Sequence, residues 1–344
     1  MGEDLKLGVA YPLQIGHRLE EDLDEIKQAG VNNLLFAVSE DQLQFNLENV
    51  KKALNKSKER FEHVSLDFWA IGGIFGGEAS SHFLQLNPSQ SQVFNKENNV
   101  ERAVCPQSKV FKEHFSYYIK EIVKNTSVDE IFIDEPHWPV LRDKNRRIDE
   151  SVFSCLCDTC KNSYRKLYGE EMPEVKEEVN DKFKDYRKKI MFDFLKEITT
   201  KVKNQENIEG RKVNVNICIH PKDNWIYGSP SVESIAGIAD VISIDPYHFK
   251  YTFEEGMKYI RSHTAEAINI ASEHNKELQV WVQGFKVPKD REFEVKETVE
   301  LLYNLGVKNI QFWSYGNSAY SSIQSDDVER VWSYLKESYT QLVK

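Results

Sequence analysis

The sequence predicts a (β/α)8 barrel, and three observations carry that expectation. Short apolar runs alternate with longer amphipathic segments over nearly the whole length, giving eight strand–helix units in series. The runs are apolar throughout, as in strands buried on both faces of a parallel sheet. Strands four to seven also end on one pattern of apolar, variable, apolar, polar: "IFID", "ICIH", "ISID" and "VWVQ". An open doubly wound sheet would need a glycine-rich phosphate loop after strand one, and "AYPLQIGH" lacks the GxGxxG spacing.

In chain order, "LKLGVAYP" reads as the first strand and "RLEEDLDEIKQAG" as a helix stopped by Gly30. "VNNLLFAVS" follows, then one long charged helix over 40–58. "EHVSLDFWAI" is strand three, followed by a long irregular loop and the helix "KVFKEHFSYYIKEIVKN". "DEIFIDEP" is strand four, and a second long excursion separates it from a helix over 182–203. "KVNVNICIHP", "ADVISIDPYHF", "ELQVWVQGF" and "VKNIQFWSYG" are strands five to eight. Helices over 232–237, 253–274 and 293–305 lie between them, and one over 326–342 closes the chain. The expected organisation is a single barrel domain over 1–344, with long loops after strands 3 and 4 and a cysteine-rich excursion at 139–180.

A chain of 344 residues, 40% hydrophobic and 12% aromatic, has enough apolar material for a large core. Lys+Arg 45 against Asp+Glu 55 gives a net charge of −10, which argues against nucleic acid and anionic membranes as general partners. A polyanionic substrate is disfavoured for the same reason. The opening "MGEDLKLGVAYP" is acidic where a secretory signal is basic. No apolar stretch approaches the roughly 20 residues of a membrane span. The expected location is the cytoplasm, and a homo-oligomer is compatible with the sequence.

The five cysteines are unevenly spread. "FSCLCDTCKNSY" places Cys155, Cys157 and Cys160 together in the loop after strand four. CxCxxC offers three thiolates to a tetrahedral zinc, which takes a fourth ligand. Cys105 is the natural fourth, because neighbouring βα loops meet on one face of a barrel. Four thiolates close the coordination sphere, so the expected zinc is structural and pins two long loops. Cys218, inside strand five, reads as a small buried apolar residue.

In barrels of this kind the active site forms at the C-terminal ends of the strands. Asp134, His220, Asp245 and Gln283 stand there in register, with Glu135 beside Asp134. Tyr11, Asp67, Trp69, Trp281, Trp313 and Tyr315 lie near other strand ends. Successive strand residues point to opposite faces, so only one of Asp134 and Glu135 is expected at the mouth. Flat aromatic faces and directed hydrogen bonds suit a saccharide. The candidate substrate-binding residues are Glu78, His137, Trp138, His220, Tyr247, His248, Trp281, Gln283 and Trp313.

The cysteine in the loop after strand three, with CxCxxC after strand four, resembles the zinc cluster of glycoside hydrolase family 42. "FSCLCDTCKNSYRKLYGE" and "GGIFGGEASSHF" also resemble segments of glycoside hydrolases of this architecture. That resemblance implies a barrel, a structural zinc and a strand-four glutamate, here Glu135, as acid/base. It also implies a glutamate nucleophile at the end of strand seven, where this chain has Gln283. A second resemblance, to retaining α-glycosidases with aspartates ending strands four and six, implies Asp134 and Asp245. The expected function is therefore a glycosidase using Asp245 with Asp134 or Glu135, acting on a small saccharide or glycoside. The alternatives are a catalytically inactive carbohydrate-binding barrel and a metal-dependent hydrolase or lyase using His220 and His248.

Overall fold

The computed structural model describes residues 5–13, 18–77, 79–97, 102–143, 147–220, 225–317 and 323–343. The strands are β1 (Lys6–Pro12), β2 (Asn33–Ala37), β3 (His63–Asp67), β4 (Glu130–Ile133), β5 (Asn214–Ile219), β6 (Val241–Ile244), β7 (Glu277–Gln283) and β8 (Asn309–Trp313). Each pairs in parallel with its sequence neighbour, and β1 pairs with β8, so the sheet closes into an eight-stranded barrel. Their outward apolar side chains pack under a ring of helices; Ile131, Ile133, Ile217 and Val282 are among those without contact to solvent or nearly so.

The helices are α1 (Leu19–Gln28), α2 (Glu40–Phe45), α3 (Leu47–Ser57), α4 (His82–Leu86), α5 (Lys109–Asn125), α6 (Asp158–Tyr168), α7 (Asp181–Lys203), α8 (Val232–Ala236), α9 (Phe253–Glu273), α10 (Phe293–Asn304) and α11 (Val328–Val343). None is long and apolar enough to cross a membrane among the described residues. The charged segment 40–58 is two helices, not the expected one. The chain leaves helical geometry at Asn46 (φ −137°, ψ 22°), a residue whose side chain competes with the backbone for hydrogen bonds.

The barrel interior is layered. At the floor, Ser65, Glu130, Asn216, Ser243, Gln279 and Asn309 form one hydrogen-bonded network. Above it, Leu35, Phe132, Cys218, Trp281 and Trp313 make an apolar plug. The mouth lies on top, bordered by the loops after β3 and β4. Glu40, itself buried, ties down the first of these by accepting from Gly72 N (2.5 Å), Ser81 Oγ (2.9 Å) and Phe83 N (2.6 Å).

Candidate active site

Four carboxyl groups and one imidazole meet at the mouth. Asp67 ends β3; Asp134 and Glu135 follow β4; His220 follows β5; Asp245 follows β6. Alternation along β4 turns Glu130, Phe132 and Asp134 inward. It predicts that Glu135 faces away, and here the structure departs from the expectation. Glu135 has φ +35°, outside the extended region, so the alternation ends and its carboxyl swings back into the same cleft. Both acids therefore reach the mouth.

The segment carrying them is held at every step. Gly76 N donates to Asp134 O (2.8 Å), His137 Nδ1 sits 2.6 Å from Glu135 O, and Ser229 Oγ donates to Pro136 O (2.7 Å). Trp138 N donates to Tyr227 O (2.8 Å). Gly76 is required by close approach, since a Cβ there would lie 2.3 Å from Asp134 Oδ2.

His220 Nδ1 lies 3.5 Å from Glu135 Oε1 and 3.4 Å from Asp245 Oδ2. Donor atoms of these three residues all lie within 4.8 Å of one another. Asp245 is 2% exposed, whereas Glu135 and His220 are about a third open, at 32% and 29%. Burial pushes Glu135 up to about 8, helped by the charge of Asp245 and a hydrogen bond to it. Burial likewise pushes Asp245 up to about 7, against the hydrogen bond from Glu135. Asp134 is raised well above the carboxylate range by burial and by Glu135. So is Asp67, by burial and by Asp134; it has no contact with solvent, and neither of its oxygens has a hydrogen-bond partner. The mouth thus stores protons at neutral pH, two of its groups being poised near pH 7–8.

The cleft above them encloses about 690 Å³ and is walled by Tyr227, Tyr247, Phe249 and Phe285, with Arg142, Lys250 and Lys286 on its lining. A second groove of about 740 Å³ under the loop after β3 shares His137, Val140 and Arg142 with it. That cleft is large enough for a small organic ligand and carries both apolar faces and polar groups.

The expected binding residues divide. His137, His220, Tyr247 and Gln283 line the cleft. The amide of Gln283 is engaged internally, accepting from His248 N (3.0 Å) and donating to Phe285 O (2.9 Å). Trp138 is 1% exposed and lies under the Arg187 guanidinium, not in the cleft. His248 is buried against Glu294, its Nε2 3.1 Å from the carboxylate. Trp281 and Trp313 fill the barrel below the mouth, their ring centroids 5.9 Å apart. Glu78 lies outside the described residues. Asp67, expected only near a strand end, joins the site acids; "VSLD", Val64 to Asp67, repeats the apolar–variable–apolar–polar pattern of the later strands.

The four cysteines of the two long loops do meet. Cys105 Sγ is 3.6 Å from Cys160 Sγ and 3.8 Å from Cys157 Sγ, far beyond the roughly 2.05 Å of a disulfide. Cys155 completes a group able to hold a metal ion. Val93 N (3.4 Å) donates to Cys155 Sγ and Gln107 Nε2 (3.1 Å) to Cys160 Sγ, the kind of outer contact that orients thiolate ligands. Hydrogen bonds among the four lower the pKa of Cys155 and Cys157 and raise those of Cys105 and Cys160, so the cluster shares its protons unequally.

No protein-family profile matches the chain, and no curated protein matches it in sequence. Its fold is similar to those of solved glycoside hydrolases. A β-galactosidase of the Antarctic haloarchaeon Halorubrum lacusprofundi superposes with TM-score 0.72 at 10% identity, covering 98% of this chain and 58% of that one. A family 42 β-galactosidase of G. stearothermophilus gives 0.72 at 13%, covering 98% and 56%. The β-amylase catalytic domain of Paenibacillus polymyxa gives 0.63 at 12%, covering 97% and 98%. The chain spans just over half the length of those β-galactosidases, and at such identities the likeness establishes the fold.

Proposed function

We propose that the protein is a glycoside hydrolase in which Glu135 is the general acid and Asp245 its partner carboxylate. The observation that carries this reading is the Glu135–Asp245 pair, side by side in an aromatic-walled cleft and both titrating near neutrality. Glycoside hydrolysis asks for one carboxyl group that keeps its proton and one that has lost it. Glu135, pushed up to about 8, is the member that delivers its proton to the glycosidic oxygen as the bond to the anomeric carbon breaks. Asp245 carries the negative charge facing the developing oxocarbenium. The two carboxyl groups are hydrogen-bonded to each other, so a substrate must part them; opening to about 5–5.5 Å suffices for retention whereas inversion needs about 6.5–9.5 Å, and the reading takes the retaining course. Asp245 then forms the glycosyl ester, and Glu135, now ionised, draws the proton from the water that cleaves it. The raised pKa values of Asp134 and Asp67 disfavour further negative charge beside the pair. Tyr247, Phe249 and Phe285 offer faces for sugar stacking.

The cysteine centre is proposed as a structural zinc site. Zn–S bonds of about 2.3 Å in a tetrahedron put the sulfurs about 3.8 Å apart, and the 3.6 and 3.8 Å from Cys105 to Cys160 and Cys157 fit that edge. Elemental analysis of purified protein tests it: close to one zinc per chain is expected, and well under one removes the site.

The enzymatic reading is tested with a panel of α- and β-linked aryl glycosides, alongside Glu135→Gln, Asp245→Asn and Asp134→Asn. Turnover abolished by the first two supports the assignment; turnover that survives both overturns it. An intact cleft that binds sugars without turning any over indicates a carbohydrate-binding barrel.

One observation favours a second reading, a metal-dependent hydrolase or lyase. Glu135, His220 and Asp245 offer two oxygens and a nitrogen close enough to share one divalent cation. His248, paired with Glu294, is not part of that set. A second metal equivalent, lost in His220→Ala while the cysteine-bound metal stays, would select this reading.

A further inference from the structure

Arg187 on α7 is a cation in a place where cations are costly. It is 1% exposed, and its Nη2 donates to Ile226 O (2.7 Å) while Nε and Nη1 have no hydrogen-bond partner. No carboxylate among the described residues pairs with it. Its guanidinium sits 4.6 Å from the Trp138 ring centroid, with Phe183 at 5.8 Å and Trp225 at 5.9 Å. Aromatic faces offset part of the desolvation of a buried guanidinium but supply no counter-ion. The cysteine loop packs on the same rings: Phe153, two residues before Cys155, meets Phe183 and Trp225 at centroid distances of 5.3 and 6.2 Å, and Tyr186, next to Arg187, donates its hydroxyl to Cys160 O (2.9 Å). Burial lowers the Arg187 pKa, and negative charge on that loop opposes the shift.

Four thiolates around a divalent metal carry two net negative charges, in a setting where Cys105, Cys155 and Cys160 are all buried. Such a centre needs nearby positive charge as much as Arg187 needs negative charge. We propose that Arg187 is the counter-charge of the metal–tetrathiolate centre and couples its occupancy to the carboxylate-bearing segment at the barrel mouth. This inference rests on the metal reading of the cysteine cluster, not on the glycosidase reading.

The route to the mouth is short. Trp138, three residues after Glu135, lies against the guanidinium and donates its indole N–H to Arg187 O (3.3 Å). Gly228 leaves room for this packing, since a Cβ there would lie 2.4 Å from Trp138 Cδ1 and 3.1 Å from Arg187 Cβ. The neighbouring Tyr227 accepts from Trp138 N and lines the cleft. Arg187 is thus a positioning residue: through Trp138 it packs against the segment that carries Glu135.

A purely structural role and a counter-charge role predict different results for Arg187→Met. Loss of packing would lower the melting temperature equally with and without metal. Loss of the counter-charge removes a benefit from the metal-loaded protein and relieves a penalty in the metal-free one. The experiment measures melting of wild type and Arg187→Met with zinc bound and after its removal, together with zinc transfer to a chelating dye. The expected result is a zinc-dependent gain in melting temperature that is clearly smaller in Arg187→Met, and zinc affinity weakened about ten- to a hundredfold. Arg187→Lys keeps the charge and is expected to hold zinc nearly as wild type does, which keeps the proposal falsifiable if the methionine variant fails to fold. Equal zinc-dependent gains in wild type and Arg187→Met, or zinc lost as readily from Arg187→Lys as from Arg187→Met, would overturn the counter-charge role alone. A wild-type chain that binds no zinc even when supplied with it would overturn the metal reading and this inference together.

Discussion

Glu130 and Asp134 are four residues apart on the same inward face of β4, about 13 Å along the strand, yet they behave as opposites. Burial alone would raise Glu130, but His63, Asn216 and Lys6 outweigh it and leave its pKa below the usual value. Its Oε1 accepts from Ser65 (3.2 Å) and Asn216 (3.1 Å), and Oε2 faces His63 Nε2 at 3.7 Å. Asp134 has no such company, and its neighbours Asp67, Glu135 and Asp245 are acids that push one another up. One barrel therefore holds at its floor a carboxyl group whose pKa its polar partners lower, and at its mouth a bank of acids whose pKa values burial raises. The residue type does not separate structure from chemistry; the partners supplied by adjacent strands do.

The largest effect expected from breaking this comparison is on turnover. Glu135→Gln and Asp245→Asn should each lower kcat/KM about a thousandfold on any glycoside the protein hydrolyses, whereas Glu130→Gln should leave it within a few fold. Steady-state kinetics on the three variants checks this. Next in size is stability. Glu130→Ala strands Ser65, Asn216 and His63 and should cost about 3 kcal/mol in chemical denaturation.

The pH dependence sharpens the mouth. Activity needs Glu135 protonated and Asp245 ionised, so kcat/KM should fall below pH about 7 as Asp245 takes up a proton, and above about 8 as Glu135 loses one. The two limbs belong to the coupled pair. The smallest effect is at Asp67. Its folded pKa lies above the roughly 3.9 of an unfolded chain, so the stability it contributes is full below that value and lost as pH rises. Asp67→Asn removes that loss, and its melting temperature should match wild type at pH 4 and exceed it by about 2 °C at pH 8.

The barrel was legible because parallel strands buried on both faces leave uninterrupted apolar runs, and the eight runs are the eight strands. The cysteine quartet was legible from spacing plus the rule that adjacent βα loops share a face. What was hidden is what periodicity cannot encode. The left-handed backbone at Glu135 overrides strand alternation, and nothing in "IDEPHW" announces it. Trp138 and His248 each sit three residues beyond a site acid, yet Arg187 and Glu294, remote in sequence, draw them into the interior. Trp281 and Trp313 point into the barrel as expected of their register, but below the cleft, where the taper demands bulk. Arg187 reads as one more solvated charge on a long basic helix, and only the approach of the cysteine loop reveals its position.

The contrast between floor and mouth can be read without any substrate. Glutamate labelled with carbon-13 at its side-chain carboxyl, followed by NMR across the pH range, reports Glu130 and Glu135 in one experiment, with Glu130→Gln and Glu135→Gln assigning the two signals. The account predicts that the Glu135 carboxyl titrates near pH 8 while Glu130, its pKa lowered by its partners, stays ionised through that step. A Glu135 signal that titrates near the roughly 4.3 of an ordinary glutamate would contradict it.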